Sequence, residues 1–257
     1  MDHIARQAYW PLADSYAGGR RRPTRVLCLP HAGGSVGAYG PWVKAGAPEL
    51  EFIPVHLPCR PGRLTDPMPA DMQRLITDLL RDLEPWLSEP FALFGHSMGG
   101  LVAYELARKL VATGAQPECL IVSGTGPPHT AEPVAVTGMN DTVLVDWLMD
   151  LGGTPAEVLS HPDLLRLTLR TLRADLALLE RYGAPEPMAI PIPITAFGGR
   201  EDYRAPVWKM AKWQSVTSRE FQQRTFPGGH FFLHEFRQPV LAEIARTVRS
   251  AISRPLG

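Results

Sequence analysis

The stretch FALFGHSMGG, residues 91–100, constrains the fold of this chain more than any other. It holds Gly95-His96-Ser97-Met98-Gly99, a complete G-x-S-x-G, between an apolar run at 91–94 and a helix-compatible run at 101–111. That is the strand–turn–helix setting of a nucleophile elbow, in which the serine stands at the crest of a strained turn with its hydroxyl exposed. Glycines at 95 and 99 remove side chains where strand and helix approach each other.

The rest of the chain supplies a sheet for that elbow to sit on. Short apolar runs at 24–29, 52–57, 91–97, 119–123, 190–197 and 220–226 read as buried strands. Helical periodicity separates them at 39–45, 70–87, 98–113, 206–215 and 238–253, with Gly114 placed to stop the third helix. Strands alternating with helices predict an α/β fold with a mostly parallel central sheet flanked by helices. The alternation lapses after residue 128. Helices are expected near 141–150 and 163–181, and the segment of about 127–188 reads as a helical lid inserted over the sheet. One domain, residues 1–257, accounts for the chain without a linker.

Composition narrows the function. Lys+Arg and Asp+Glu each number 26, so the net charge is zero, which argues against nucleic-acid binding as the main task. The cluster Arg20, Arg21, Arg22 and Arg25 reads as a solvated N-terminal tail. Nothing approaches 18 consecutive apolar residues, so neither a membrane span nor an export segment is expected. Cys28, Cys59 and Cys119 show no paired framework or metal spacing; they fit a cytoplasmic protein without a metal, and the first and last read as core residues.

A serine hydroxyl needs a base, and the base needs an orienting acid. After an elbow these are expected in the order acid, then histidine, each following a later strand. Gly198-Gly199-Arg200-Glu201-Asp202 and Pro227-Gly228-Gly229-His230 occupy those places. Asp202 is preferred to Glu201, and His230 to His234, which reads as a packing or capping residue. His96 reads as support for the turn, and Asp146 and Asp175 as surface or cap carboxylates. Ser97 would attack an acyl carbonyl, His230 take its proton and Asp202 hold the imidazole. The oxyanion donors expected are the backbone N–H of Met98 and one from the loop after the first strand, Ala32 before Gly33. No cofactor is called for. Gly33-Gly34 lacks the G-K-[ST] of a phosphate loop.

The motifs LPHAGGS (29–35) with Tyr39 and Trp42, VHLPCRPGR (55–63), FGHSMGG (94–100), LIVSG (120–124), FGGREDY (197–203) and FPGGHFFLHE (226–235) together resemble the stand-alone type II thioesterases of polyketide and nonribosomal peptide synthesis, within the α/β-hydrolases. The resemblance runs from about residue 24 to 253. It implies an editing hydrolase that removes acyl groups from the phosphopantetheine arm of an acyl or peptidyl carrier protein. The family triad falls on Ser97, Asp202 and His230, its oxyanion donors on Ala32 and Met98, and its lid on 127–188. Two positions depart from the family pattern: Gly100 stands where alanine is usual, and the proline-glycine-arginine loop is lengthened to PCRPGR. Arg60 and Arg63 in that loop read either as contacts to a phosphate or acidic carrier helix, or as solvated arginines. A monomer is expected. The competing readings are a small-molecule carboxylesterase or lipase, and a catalytically dead hydrolase-like binding module. Product-releasing thioesterases are usually fused to a synthase; no synthase domain is expected before residue 1, so the stand-alone type is the expected one.

Overall fold

The computed structural model describes residues 23–45, 49–132, 135–136 and 138–253. Six strands form one sheet: β1 (Thr24–Leu29), β2 (Leu50–Pro54), β3 (Phe91–His96), β4 (Leu120–Ser123), β5 (Ile194–Gly199) and β6 (Phe221–Phe226). Their spatial order is β2-β1-β3-β4-β5-β6, and every pair is parallel. The chain leaves β1 toward one edge and returns beside it as β3. That reversal puts the crevice of an open α/β sheet at the carboxyl ends of β1 and β3, where the 30–35 loop and the 95–99 turn emerge.

The strands are buried on both faces, as parallel strands covered by helices are. In β1, Val26 and Cys28 face one hydrophobic cluster and Leu27 and Leu29 the other, following the two-residue alternation of a strand. On one side lie α1 (Gly40–Ala45), carrying the buried Trp42, and α9 (Arg237–Ile252). On the other lie α2 (Met72–Leu83) and α3 (Met98–Thr113). Asp71 caps α2 by accepting from Arg74 N at 2.8 Å. Gly114 ends α3 in the left-handed conformation, its N–H reaching back to Leu110 and Val111.

Helical structure does interrupt the sheet between β4 and β5. It comprises α4 (Asp141–Leu151), α5 (Ala156–Ser160) and α6 (Pro162–Tyr182). The short α5 carries too few residues to show a period and is absent from the sequence-based expectation. The carboxyl-terminal half is completed by α7 (Val207–Ala211) and α8 (Phe232–Glu235). Strand limits differ from expectation for reasons of pairing. β2 runs from Leu50 to Pro54 in register with Thr24 to Cys28 of β1, with Val55 N still donating to Cys28 O at 2.9 Å as the chain leaves the ladder. β5 starts at Ile194 because Pro191 and Pro193 have no N–H to give; Ile190 keeps one isolated bridge to Thr217. Arg20 to Arg22 lie outside the described residues. Arg25 pairs with Glu51 at 3.7 Å and lies over the Trp86 ring. Among the described residues no helix is long and apolar enough to cross a membrane.

Candidate active site

Ser97 sits at φ 55°, ψ −121°, a backbone state that costs a non-glycine residue about 1–3 kcal/mol and persists only where surroundings enforce it. The enforcement is visible. Its N–H donates to Ser123 O at 2.7 Å, and its carbonyl accepts from Gly100 N at 2.9 Å. A Cβ on Gly95 would lie 2.1 Å from Gly99 O, and one on Gly99 would lie 2.1 Å from Leu29 O. Only glycine lets α3 start this close to β1 and β3, and that closeness aims the serine outward. The departure at Gly100 has a local reason: a Cβ there would lie 2.6 Å from Thr125 Cγ2.

Asp202 and His230 reach the same end of the sheet from the neighbouring strands. Asp202 is 3% exposed. Its Oδ1 accepts from Arg204 N at 3.0 Å and Ala205 N at 3.1 Å, an Asx-type turn that holds the carboxylate in one orientation. Its Oδ2 lies 2.9 Å from His230 Nδ1. With Nδ1–H donating to the carboxylate, Nε2 is left as the acceptor of the ring. Glu201 is exposed and engages the next loop only through its backbone N–H. His234 is exposed, its ring 5.3 Å from Phe231 and stacked on it.

Ser97, Met98, His230 and Ala32 line one cavity of about 490 Å³. Leu101, Leu176, Leu179 and Trp147 add apolar wall, the last three from the inserted helices. Ser97 and His230 share the cavity without a direct hydrogen bond, a looseness common in unliganded hydrolases. Gly33 is separated from Ala32 as an oxyanion donor: its N–H is committed to Asp175 Oδ2 at 2.7 Å. A second cavity of about 420 Å³ lies across the same loop and shares Ala32, Trp147 and Leu151 with the first.

Another serine and histidine do touch: His96 Nδ1 lies 3.0 Å from Ser123 Oγ. Both residues are fully buried at the ends of β3 and β4, and neither lines a cavity. This contact braces the turn, as the sequence led us to expect of His96. Burial, then the neighbouring His230 and His31 rings, push the His96 pKa well down. Burial, then His234, His230 and Arg60, lower His31 to about 3. Below the unfolded value of 6.5 the unfolded chain therefore binds more protons than the fold at these two sites. Stability is expected to fall as pH drops from 6.5, by up to about 1.4 kcal/mol per pH unit for each histidine. Urea unfolding at pH 7, 6 and 5 checks this; an unchanged unfolding free energy from pH 7 to 5 contradicts it.

Two expectations fail at Asp175 and Arg60. Neither is a surface group: both are fully buried. Arg60 forks onto Asp175 at 2.8 and 2.6 Å, so it is neither solvated nor free to meet a carrier. Burial pushes the Asp175 carboxyl up, opposed by the Arg60 guanidinium and the Gly33 N–H. Arg63 is also tied down, donating to His56 O at 2.6 Å and pairing with Asp66 and Asp82. Asp146 is exposed, as expected. No local pattern marks Asp175: it lies 115 residues from Arg60 in a leucine-rich helix. The one available signal was the excess of apolar positions on that helix, which required part of it to face inward.

Comparison with known proteins agrees with this geometry. The thioesterase domain model matches residues 24–252. Linear gramicidin dehydrogenase LgrE of Brevibacillus parabrevis is 37% identical over 225 residues, 86% of each chain. The RedJ thioesterase from the prodiginine pathway of Streptomyces coelicolor superposes with a TM-score of 0.81 at 34% identity, covering 93% of this chain and 98% of that one. The type II thioesterase BorB from the borrelidin cluster does so with a TM-score of 0.80 at 34% identity, covering 88% and 95%. The name of LgrE states a dehydrogenase, but this chain contains no G-x-G-x-x-G, the glycine spacing of a dinucleotide-binding turn. Its β3–α3 turn presents a strained serine instead. On the family match across nearly all the described residues, the chain belongs to the thioesterase domain family, as a serine hydrolase of the type II branch found in polyketide and nonribosomal peptide synthesis.

Proposed function

We propose that Ser97, His230 and Asp202 are the catalytic triad, that the Ala32 and Met98 N–H groups form the oxyanion hole, and that the substrate is an acyl group on the phosphopantetheine arm of a carrier protein. The observation that carries this reading is the 2.9 Å contact between His230 Nδ1 and Asp202 Oδ2, beside a cavity shared by Ser97, Ala32, Met98 and His230. His230 Nε2 takes the Ser97 proton as Oγ bonds to the thioester carbonyl carbon. The carbonyl oxygen becomes an oxyanion facing the two N–H groups. Collapse breaks the carbon–sulfur bond, and the thiol leaves with the proton from Nε2. Water, deprotonated by the same nitrogen, then adds to the acyl-serine ester; its carbon–Oγ bond breaks, Nε2 returns the proton to Ser97 Oγ, and the acid is freed.

The helices between β4 and β5 act as the lid of this site. Leu176 and Leu179 of α6 and Trp147 of α4 close the cavity from above, which keeps bulk water from the acyl-enzyme and offers an apolar surface to the acyl chain. The biological role that follows is editing: clearing unproductive acyl groups from a synthase. Mass spectrometry of carrier proteins loaded with different acyl groups tests it. Loss of the acyl mass shift with the parent chain, and its retention with Ser97→Ala, is expected. A large preference for matched oxyesters over carrier thioesters would instead make the chain a carboxylesterase.

A further inference from the structure

We propose that the buried Arg60–Asp175 ion pair is a positioning device for the oxyanion hole, holding the loop after β1 so that the Ala32 N–H points into the cavity. This rests on the assignment of Ala32 above. The contacts converge on the two residues that follow Ala32. Asp175 Oδ2 accepts from Gly33 N at 2.7 Å, and Arg60 Nε donates to Gly34 O at 3.1 Å. The same guanidinium forks onto both Asp175 oxygens, at 2.8 and 2.6 Å, and donates to Pro58 O at 2.7 Å. Gly33 is held at φ 78°, a conformation open to glycine at little cost. One peptide N–H and one peptide C=O of the loop are thus fixed by a single charged pair.

The pair has no obvious purpose in stability alone. Desolvating two charges is expensive, and apolar residues of similar volume commonly serve a fold as well or better. An apolar pair, however, cannot direct a backbone N–H. The chain also accepts strain to deliver Arg60. Among the described residues only Ser97 and Cys59 are non-glycine residues with positive φ, and Cys59, at φ 64°, immediately precedes Arg60. The Cys59 carbonyl is held in turn by Thr171 Oγ1 at 2.8 Å, one helical turn before Asp175 on α6. The inserted helix is therefore more than a cover. It supplies the carboxylate that sets the loop after β1, and it braces the strained turn that carries the partner arginine.

The test separates positioning from support of the fold. Asp175→Asn keeps the side-chain volume and one acceptor but loses the charge and the two-oxygen fork. With a short-chain acyl thioester of N-acetylcysteamine, kcat is expected to fall about 10²-fold, with KM within about threefold of the parent. Binding of an alkylboronic acid, which mimics the tetrahedral oxyanion, should weaken by a comparable factor, while binding of the product carboxylic acid is unchanged. The paired replacement Arg60→Met with Asp175→Leu should stay folded at 25 °C, with a lower melting temperature because Gly33 N–H, Gly34 C=O and Pro58 C=O lose their partners, and turn over about 10²-fold more slowly. Parental kcat in either folded variant overturns the proposal. So does unfolding of both variants at 25 °C, because the pair would then be a requirement of the fold. Ser97→Ala, run alongside, distinguishes the two levels: retained activity there removes the triad reading itself, whereas an inactive Ser97→Ala beside a fully active Asp175→Asn removes only the positioning role.

Discussion

Ser97→Ala is expected to reduce kcat for acyl-thioester hydrolysis by about 10⁶-fold, the scale on which loss of a triad serine removes the whole nucleophilic route. The residual rate would come from the oxyanion donors and substrate binding. Stability should stay level, because the strain at φ 55° is unchanged and little packing is lost: Ser97 opens onto the cavity and its side chain makes no capping hydrogen bond to α3. The measurement is single-turnover hydrolysis, paired with labelling by a serine-directed phosphonate. A labelled Ser97→Ala variant, or one within a hundredfold of the parent rate, would sink the assignment.

Asp202→Asn is expected to lower kcat by about 10⁴-fold with the fold intact. The reason lies in the two faces of this side chain. Oδ1 accepts from the Arg204 and Ala205 N–H groups, and Oδ2 meets His230 Nδ1. Asparagine has one oxygen, and the two backbone donors will claim it. Its NH₂ then faces His230, forces Nδ1 to accept, and moves the ring proton to Nε2. The base is then in the tautomer that cannot take the Ser97 proton. Steady-state kinetics with a melting curve checks this. A folded variant within tenfold of parental kcat would show that Asp202 does not set the tautomer.

Much of this was legible in the chain. The elbow could be read because its requirements are local: an apolar run, two glycines flanking the serine and a helix, all within about twenty residues. Acid-before-histidine order was legible because each candidate follows a strand and a glycine pair, and strands running parallel all put their carboxyl ends at one edge of the sheet. Choosing Asp202 over Glu201 from side-chain length alone pointed to the residue that faces His230, but the physical reason is the Asx turn at Arg204 and Ala205, which only the folded chain displays. Arg60 and Asp175 were misread because burial of a charge has no local signature; each looks like a surface residue until the other arrives. The limits of β2 and β5 differ from expectation because the register with a neighbouring strand sets where a strand runs, and a proline withholds an N–H.

The sequence by itself determined that this is an α/β chain with a serine elbow followed, in order, by a candidate acid and a candidate histidine, since period, glycine placement and motif order are properties of short segments. Tertiary structure decided which groups are buried together. It committed the Gly33 N–H to Asp175, drew Arg60 out of solvent, and joined the inserted helix to the loop after β1. Those are contacts between segments more than a hundred residues apart, and their energies depend on desolvation and geometry that exist only once the chain has closed on itself.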